Sequence, residues 1–356
     1  MEKLNISADE TIEQPLLYQW SGHLKIVKRK NILVILHDES RFSFALYGLN
    51  AKHFANIGPM IIAGMRQSLL DNHIDLKTVN EYMKQIDHIS FGKSRSPKAT
   101  SRLNKAFERL LLFTDFLNTD ETHQKILNKK VNHDLVTFSD GTYDYPSQRI
   151  ITLLENEVHH DVISCRSYDL TCRLELENLS IWRRLIVPSD TTFKQFHMIL
   201  QESFGWNDAH LYNFTVFNED ADQVLKLISE YEEVSDDEMS HSGGFITYAE
   251  YIEISTCLLE GFTTVYNYDY GDDWNIRITV NDSNLMTERL YPVCVMGEGD
   301  APPEDVGGEP GFKSFIRIMN NQEHPEFNDM KTWAMSQHYQ SFDIDRINKR
   351  IRHLLS

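Results

Sequence analysis

Two widely separated stretches of this chain make the same switch of hydrophobic period, from two to between three and four. Between Tyr18 and Gly48, the apolar run Ile32-Leu33-Val34-Ile35-Leu36 meets a turn-like His37-Asp38-Glu39-Ser40, after which Phe42, Phe44 and Leu46 alternate. Behind Gly58-Pro59, Ile61, Ile62, Met65 and Leu69 then fall on one helical face. Much later, Leu170, Cys172, Leu174 and Leu176 alternate, a tight turn at Asn178 leads into Ile181–Pro188, and Phe193, Phe196, Leu200 and Phe204 form a second helical stripe. Alternation buries one face of a strand, and spacing near 3.6 buries one face of a helix. Each stretch therefore reads as antiparallel strands followed by a covering helix. The expectation is an α+β fold with two domains, each a small, mostly antiparallel sheet packed with helices. The length of 356 residues agrees, since it exceeds the size at which one core usually keeps growing.

Local signals place the boundaries. Pro59 suits a first helical turn, a second helix is expected after Asp75, and a third over Ser101–Phe113 with Leu103, Phe107 and Leu110 inward. Thr192-x-x-Gln195 is a capping-box pattern and Gly205 a helix stop. Residues 114–164 are polar and punctuated by Ser139-Asp140-Gly141 and Tyr145-Pro146, which reads as a linker or connecting segment between domains at 1–113 and 165–356. Glu230–Gly244, rich in acidic residues beside Gly243-Gly244, reads as a solvated insertion.

Charge separates the halves. Residues 1–113 hold 16 Lys and Arg against 11 Asp and Glu, leaving 19 against 42 for the remainder. An acidic body repels a phosphate backbone, so nucleic acid is expected, if anywhere, only on the N-terminal part. There Lys93, Arg95, Lys98 and Arg102 form a basic run that reads first as the solvated face of a helix and, as the alternative, as an anion contact at the loop entering it. The four cysteines, Cys165, Cys172, Cys257 and Cys294, form no Cys-x-x-Cys pair and read as reduced, buried thiols. No secretory signal and no long apolar window is present, so a cytoplasmic protein with no membrane partner is expected.

A set of ordered blocks carries a resemblance. Ile181-Trp182-Arg183-Arg184, Phe204-Gly205-Trp206, His210-Leu211-Tyr212-x-Phe214, Tyr268-Asp269-Tyr270-Gly271-Asp272-Asp273-Trp274, Tyr291-Pro292-Val293-Cys294 and Ala301–Gly308 with Gly311-Phe312 are similar to the plasmid pRiA4b ORF-3-like family, often labelled TnpR, from about Tyr168 to the C-terminus. The first segment, with Tyr18-Gln19-Trp20 on its opening strand, resembles a small uncharacterised bacterial domain. The C-terminal resemblance implies an α+β module of a mobile-element-associated family and no defined reaction. The resolvase sense of TnpR does not fit. A serine recombinase needs a nucleophilic Ser among several Arg and a basic DNA-binding helical domain, and this half is acidic.

Within those blocks, Asp269, Asp272, Asp273, Glu304 and Asp305 are hard oxygen ligands from two loops that, with His210, would suit Mg²⁺ or Mn²⁺ if the loops converge. The same Asp residues also suit turns, where they accept backbone N–H groups. Trp182, Trp206 and Trp274 read as core or as an aromatic-lined pocket. Arg183 and Arg184 point to opposite faces of a strand, and one of them is expected to pair with Asp272 or Asp273. With no phosphate loop, nucleophile elbow, zinc-protease motif or dinucleotide fingerprint, the leading expectation is a binding or interaction protein whose partner is another protein, in a transposition or antiphage setting. The alternative is a metal-dependent enzyme, a nuclease or nucleotide hydrolase, acting on a phosphate-containing substrate through the Asp/Glu cluster.

Overall fold

The computed structural model describes residues 15–86, 89, 91–92, 97–138, 140–232, 245–250, 252–259, 261–352 and 354. The chain divides into two compact units, Met1–Ser164 and Cys165–Ser356.

The first unit is built on a three-stranded antiparallel meander, β1 (Trp20–Val27), β2 (Lys30–His37) and β3 (Ser43–Leu49). Val34 of β2 lies opposite His23 of β1 and Ala45 of β3. A short helix α1 (Ala51–Ala55) follows, capped by Asn50, and then α2 (Ile57–Asp71) and α3 (Leu76–Lys84), the latter capped by Asp75. Gly64 lets α2 approach β3 closely, since a Cβ there would lie 2.8 Å from a ring carbon of Phe44. The fourth helix, α4 (Pro97–Leu112), buries Leu103, Ala106 and Leu110 and packs on β1 and β2.

Residues 114–164 are not an open linker. They contain α5 (Lys125–Asn132), a two-residue hairpin of β4 (Val136–Thr137) and β5 (Tyr143–Asp144), and α6 (Pro146–Val158). Leu127 and Val131 of α5 join the sheet's core with Ile32, Val34 and Tyr47. The physical reason lies at the edge of β3, whose free backbone needs partners. Asn132 accepts from Ser43 N and donates to Ser43 O, both at 2.8 Å, while Asn128 accepts from Ala45 N at 2.8 Å. These polar residues, which made the segment read as a connector, are buried as substitutes for a fourth strand.

The second unit is an eight-stranded sheet with covering helices. In chain order its elements are β6 (Cys165–Leu174), β7 (Ile181–Pro188), α7 (Phe193–Phe204), β8 (Tyr212–Phe217), β9 (Gln223–Ile228), β10 (Phe245–Tyr248), β11 (Thr263–Tyr268), β12 (Trp274–Thr287), β13 (Val293–Glu298), α8 (Gly308–Met319), α9 (Phe327–Ser336) and α10 (Ile344–Ile351). The strand order is β10-β9-β8-β11-β12-β6-β7-β13, antiparallel except between β10 and β9. Thr192 and Gln195 close the capping box of α7, and Gly205 ends the helix at φ +76°. The core gathers Leu170, Leu185, Phe193, Phe196, Phe214 and Tyr266 with Phe312 and Phe315 of α8 and Ile347 and Ile351 of α10. The mixed α+β architecture expected from the two period switches is present in both units.

Two registers position the site. Tyr268 pairs with Trp274 at the end of the β11–β12 hairpin, so residues 269–273 form its connecting loop. Tyr268 also pairs with Tyr212 on the other side, which sets the segment preceding β8, including His210, beside that loop.

Candidate metal centre

The loop between β11 and β12 is held by its own first residue. Asp269, buried and at φ +56°, accepts through Oδ1 from the backbone N–H of Gly271 at 2.9 Å and of Asp272 at 3.2 Å. Asp and Asn tolerate this left-handed conformation better than most residues, because the short side chain bonds locally. With Oδ1 so engaged, Oδ2 faces His210 Nε2 at 3.5 Å.

The segment Ala301–Gly308, between β13 and α8, supplies two more carboxylates. Asp305, exposed and at φ +54°, places Oδ1 3.1 Å from His210 Nε2. His210, Asp269 and Asp305 each offer one ligand atom, and these three atoms lie within 4.8 Å of one another, a cluster that can hold a divalent metal.

Glu304 stands behind the cluster, 3% exposed. Its Oε1 accepts from Asn207 N at 2.7 Å and from the Tyr268 hydroxyl at 2.9 Å. Its Oε2 is buried without a hydrogen-bond partner among the described residues and lies 3.8 Å from His210 Nε2. Burial pushes the Glu304 carboxyl above the usual carboxylate range, against the opposing effect of its two donors. Tyr268, in turn accepting from Ala209 N at 3.0 Å, has its hydroxyl pushed well up by burial and by the neighbouring Glu304. Tyr268 and Asn207 were not singled out as site residues from the sequence. The available signal was that Tyr268 shares the face of β11 with Tyr266 and directly precedes Asp269.

The other acidic residues turn away. Asp272 Oδ2 accepts from Gly307 N at 3.1 Å, tying the two loops together. Asp273 Oδ1 accepts from the side chains of Asn267 and Asn275 at 2.7 and 3.0 Å. Neither pairs with an arginine among the described residues. Arg184 instead forms a two-pronged pair with Asp169, Nε to Oδ1 at 2.9 Å and Nη2 to Oδ2 at 2.6 Å, because both project from the same face of neighbouring strands. Arg183, on the opposite face, is 2% exposed and donates to the carbonyls of Trp182, Ser203, Glu298 and Gly299.

The three tryptophans do not line one pocket. Trp206 is core, stacked on Phe204 and Tyr268 at 5.4 and 4.9 Å, with its N–H donated to Pro302 O at 3.0 Å. Trp274 packs edge-on to Phe312 inside the same core. Trp182 is on the outer face and donates to Glu298 Oε2 at 3.1 Å. In the first unit, Lys93 and Arg95 lie outside the described residues. Lys98 is exposed in the first turn of α4, and Arg102 donates to Asp38 O at 3.2 Å.

A deeper polar pair lies beneath this surface. His197 of α7 is buried, stacked on Tyr212 at 3.6 Å, with Nδ1 2.7 Å from the Tyr266 hydroxyl and Nε2 2.8 Å from Asp208 Oδ1. Gln201 Oε1 accepts from Asp208 N at 2.8 Å. Together they anchor the 206–210 turn that delivers His210.

No helix among the described residues is long and apolar enough to cross a membrane. Residues 1–149 match a Domain of unknown function (DUF6933). Uncharacterized protein y4hQ of Sinorhizobium fredii is 26% identical over 174 residues, 48% of this chain and 83% of that protein. A crystal structure of a protein of unknown function from Methanosarcina mazei Go1 aligns with a TM-score of 0.41 at 26% identity, covering 51% of this chain and 92% of that one. The loop blocks that build this candidate site fall inside residues 166–350, just over half of the chain, which match the family described as Plasmid pRiA4b ORF-3-like protein, and the chain belongs to that family.

Proposed function

We propose that His210, Asp269 and Asp305 bind a divalent cation and that the second unit hydrolyses a small phosphate-containing substrate there. The observation that carries this reading is the bare Oε2 of Glu304. A buried carboxylate oxygen with no donor costs on the order of several kcal/mol, and this one lies 3.8 Å from Nε2 of His210, one of the three potential ligands. The donor set of one imidazole and two carboxylates fits Mn²⁺ better than Mg²⁺, which prefers oxygen ligands alone.

His210 through Nε2, and Asp269 and Asp305 through one oxygen each, would hold the ion. A bound cation supplies charge stabilisation to a phosphoryl group and acidifies a water. Glu304 Oε2 accepts the proton of the attacking water, whose oxygen forms a new bond to phosphorus as the ester or anhydride P–O bond breaks. The displaced oxygen leaves with a proton from solvent. Residues 165–356 carry 15 Lys and Arg against 33 Asp and Glu, which disfavours a long polyanion and favours a small phosphate compound over nucleic acid.

Calorimetric titration of the chelator-treated full chain with Mn²⁺ tests the site. Saturable binding is expected, with its loss in His210→Ala, together with Mn²⁺-dependent phosphate release from a panel of phosphomonoesters and nucleotides. Absence of saturable Mn²⁺ binding overturns the reading. Binding without turnover on any substrate would remove the hydrolytic step and leave a metal-stabilised interaction module.

A further inference from the structure

Next to the metal centre lies a cleft of about 290 Å³, bounded by the last turn of α7, residues 338–342 and the face of α10. Its charge inverts that of the unit around it. Arg183, Arg346 and Arg350 line it against a single carboxylate, Glu202, in a unit where acids outnumber bases more than two to one. Glu202 is already taken, its Oε2 3.3 Å from Arg350 Nη1. Arg346 is half-buried and pairs with no carboxylate among the described residues, donating from Nη2 to the Ser341 carbonyl.

Arg183 at the back of the cleft is a fully buried guanidinium without a paired carboxylate among the described residues. Its Nε, Nη1 and Nη2 donate to Ser203, Trp182, Glu298 and Gly299 carbonyls at 2.8 to 3.0 Å. It is sandwiched between the rings of Phe204 and Phe342 at 5.0 and 4.2 Å. These bonds use four of the five N–H groups that a guanidinium carries. Burial pushes its proton affinity down to about 10, with Asp300 and Cys294 opposing from a distance. Tying β7, β13 and α7 together accounts for the presence of Arg183. It does not account for Arg346 and Arg350 converging on the same cleft with only one carboxylate between them.

We propose that this cleft is an anion subsite that takes a phosphate group. Its assignment to the substrate rests on the hydrolytic reading above, whereas anion binding itself does not. The connection is structural. Asn207 lines the cleft and donates its backbone N–H to Glu304 Oε1 at 2.7 Å, and Ala301 lines it three residues ahead of Glu304. Cleft and metal centre therefore share the walls at Asn207 and at Ala301–Glu304. The volume is at the small end of ligand pockets, which run from roughly 300 to 1,000 Å³, and suits a compound no larger than a mononucleotide. Guanidinium groups suit phosphate through paired, charge-assisted hydrogen bonds.

The test is calorimetry of the full chain in excess chelator with two probes, inorganic phosphate and adenosine 5′-monophosphate. Saturable binding of at least one is expected, weakened about tenfold or more in Arg346→Ala, the scale of one charge-assisted hydrogen bond. Arg350→Gln provides a second variant that removes the charge while keeping a polar side chain, and neither depends on replacing the buried Arg183. Binding should be unchanged in His210→Ala, which separates this subsite from the metal centre. Tighter binding of the nucleotide supports the subsite and assigns its anion to a nucleotide; equal binding supports it and assigns a free phosphate. No saturable binding of either probe, or binding that persists in the Arg346→Ala/Arg350→Gln double variant, overturns the proposal, and does so whether or not Mn²⁺ binds.

Discussion

Asp269 divides its carboxylate between two tasks, holding the backbone N–H groups of Gly271 and Asp272 with Oδ1 and facing His210 Nε2 with Oδ2 at 3.5 Å. The first task shapes a loop, and the second contributes charge to a cluster that can hold a divalent metal. Substitutions can separate them.

Asp269→Asn keeps an oxygen that can accept both loop amides and tolerates φ +56°. Its expected effect on unfolding free energy is under about 1 kcal/mol, with loss of saturable Mn²⁺ binding. Asp269→Ala leaves the amides without their acceptor and should cost about 1–3 kcal/mol in addition. Urea denaturation with and without Mn²⁺ distinguishes the pair. Equal stability of the two variants would show that the loop does not depend on Oδ1.

Glu304→Gln separates function from folding in the opposite direction. The glutamine carbonyl can still accept from Asn207 N and the Tyr268 hydroxyl, which Glu304 now receives at 2.7 and 2.9 Å. A buried oxygen that bears charge without a partner is replaced by a neutral amide, so stability in metal-free buffer should hold or rise by about 1 kcal/mol. Metal-dependent hydrolysis should fall by roughly 10²-fold or more, the scale of losing a proton acceptor at the reacting centre. Steady-state kinetics at saturating Mn²⁺ checks this, and undiminished turnover would remove Glu304 from the reaction.

Much of this architecture was legible in residue order, and the exceptions share a cause. Alternation at Leu170–Leu176 and the stripe Phe193, Phe196, Leu200, Phe204 mark β6 and α7 because burial of a face repeats along the chain. The capping box at Thr192 and Gln195 is equally local. By contrast, the Asp residues of the 269–273 loop are chemically alike in sequence. Only the pairing of Tyr268 with both Trp274 and Tyr212 decides which of them meets His210. Arg184 found Asp169 instead of Asp272 or Asp273 for the same reason, since cross-strand neighbours are set by register. Asn128 and Asn132 were misleading because polar residues that bond a sheet edge have the composition of a connector.

That edge contact carries its own prediction. Asn132 is fully buried and makes two bonds to Ser43, so Asn132→Ala leaves a buried backbone donor and acceptor without partners. The expected loss is about 2–4 kcal/mol for two unsatisfied groups. Amide hydrogen exchange should speed up along β3 and α5, while amides of the second unit keep their protection. Uniform loss of protection across both units would show that the edge is not a local feature of the first.

The first unit should also lose stability in mild acid. His37 of β2 is fully buried, with Nε2 3.0 Å from Leu17 O and Nδ1 3.1 Å from the N–H of Ser40. The neutral ring satisfies both by donating from Nε2 and accepting at Nδ1, so a second proton would displace the Ser40 amide. Burial lowers the ring's pKa from 6.5 to about 4, with Arg41 acting in the same direction. A folded pKa below the unfolded one means that the unfolded chain binds more protons, so stability is fully present above about pH 6.5 and is lost as pH falls towards 4. The shift corresponds to about 3 kcal/mol across that window. Urea denaturation at pH 7 and pH 4.5, followed by hydrogen exchange of β2 and β3, should show the decline. In His37→Gln, which can donate and accept without titrating, the pH slope of this unit should flatten even where its absolute stability is lower, and an unchanged slope would assign the acid sensitivity to other groups.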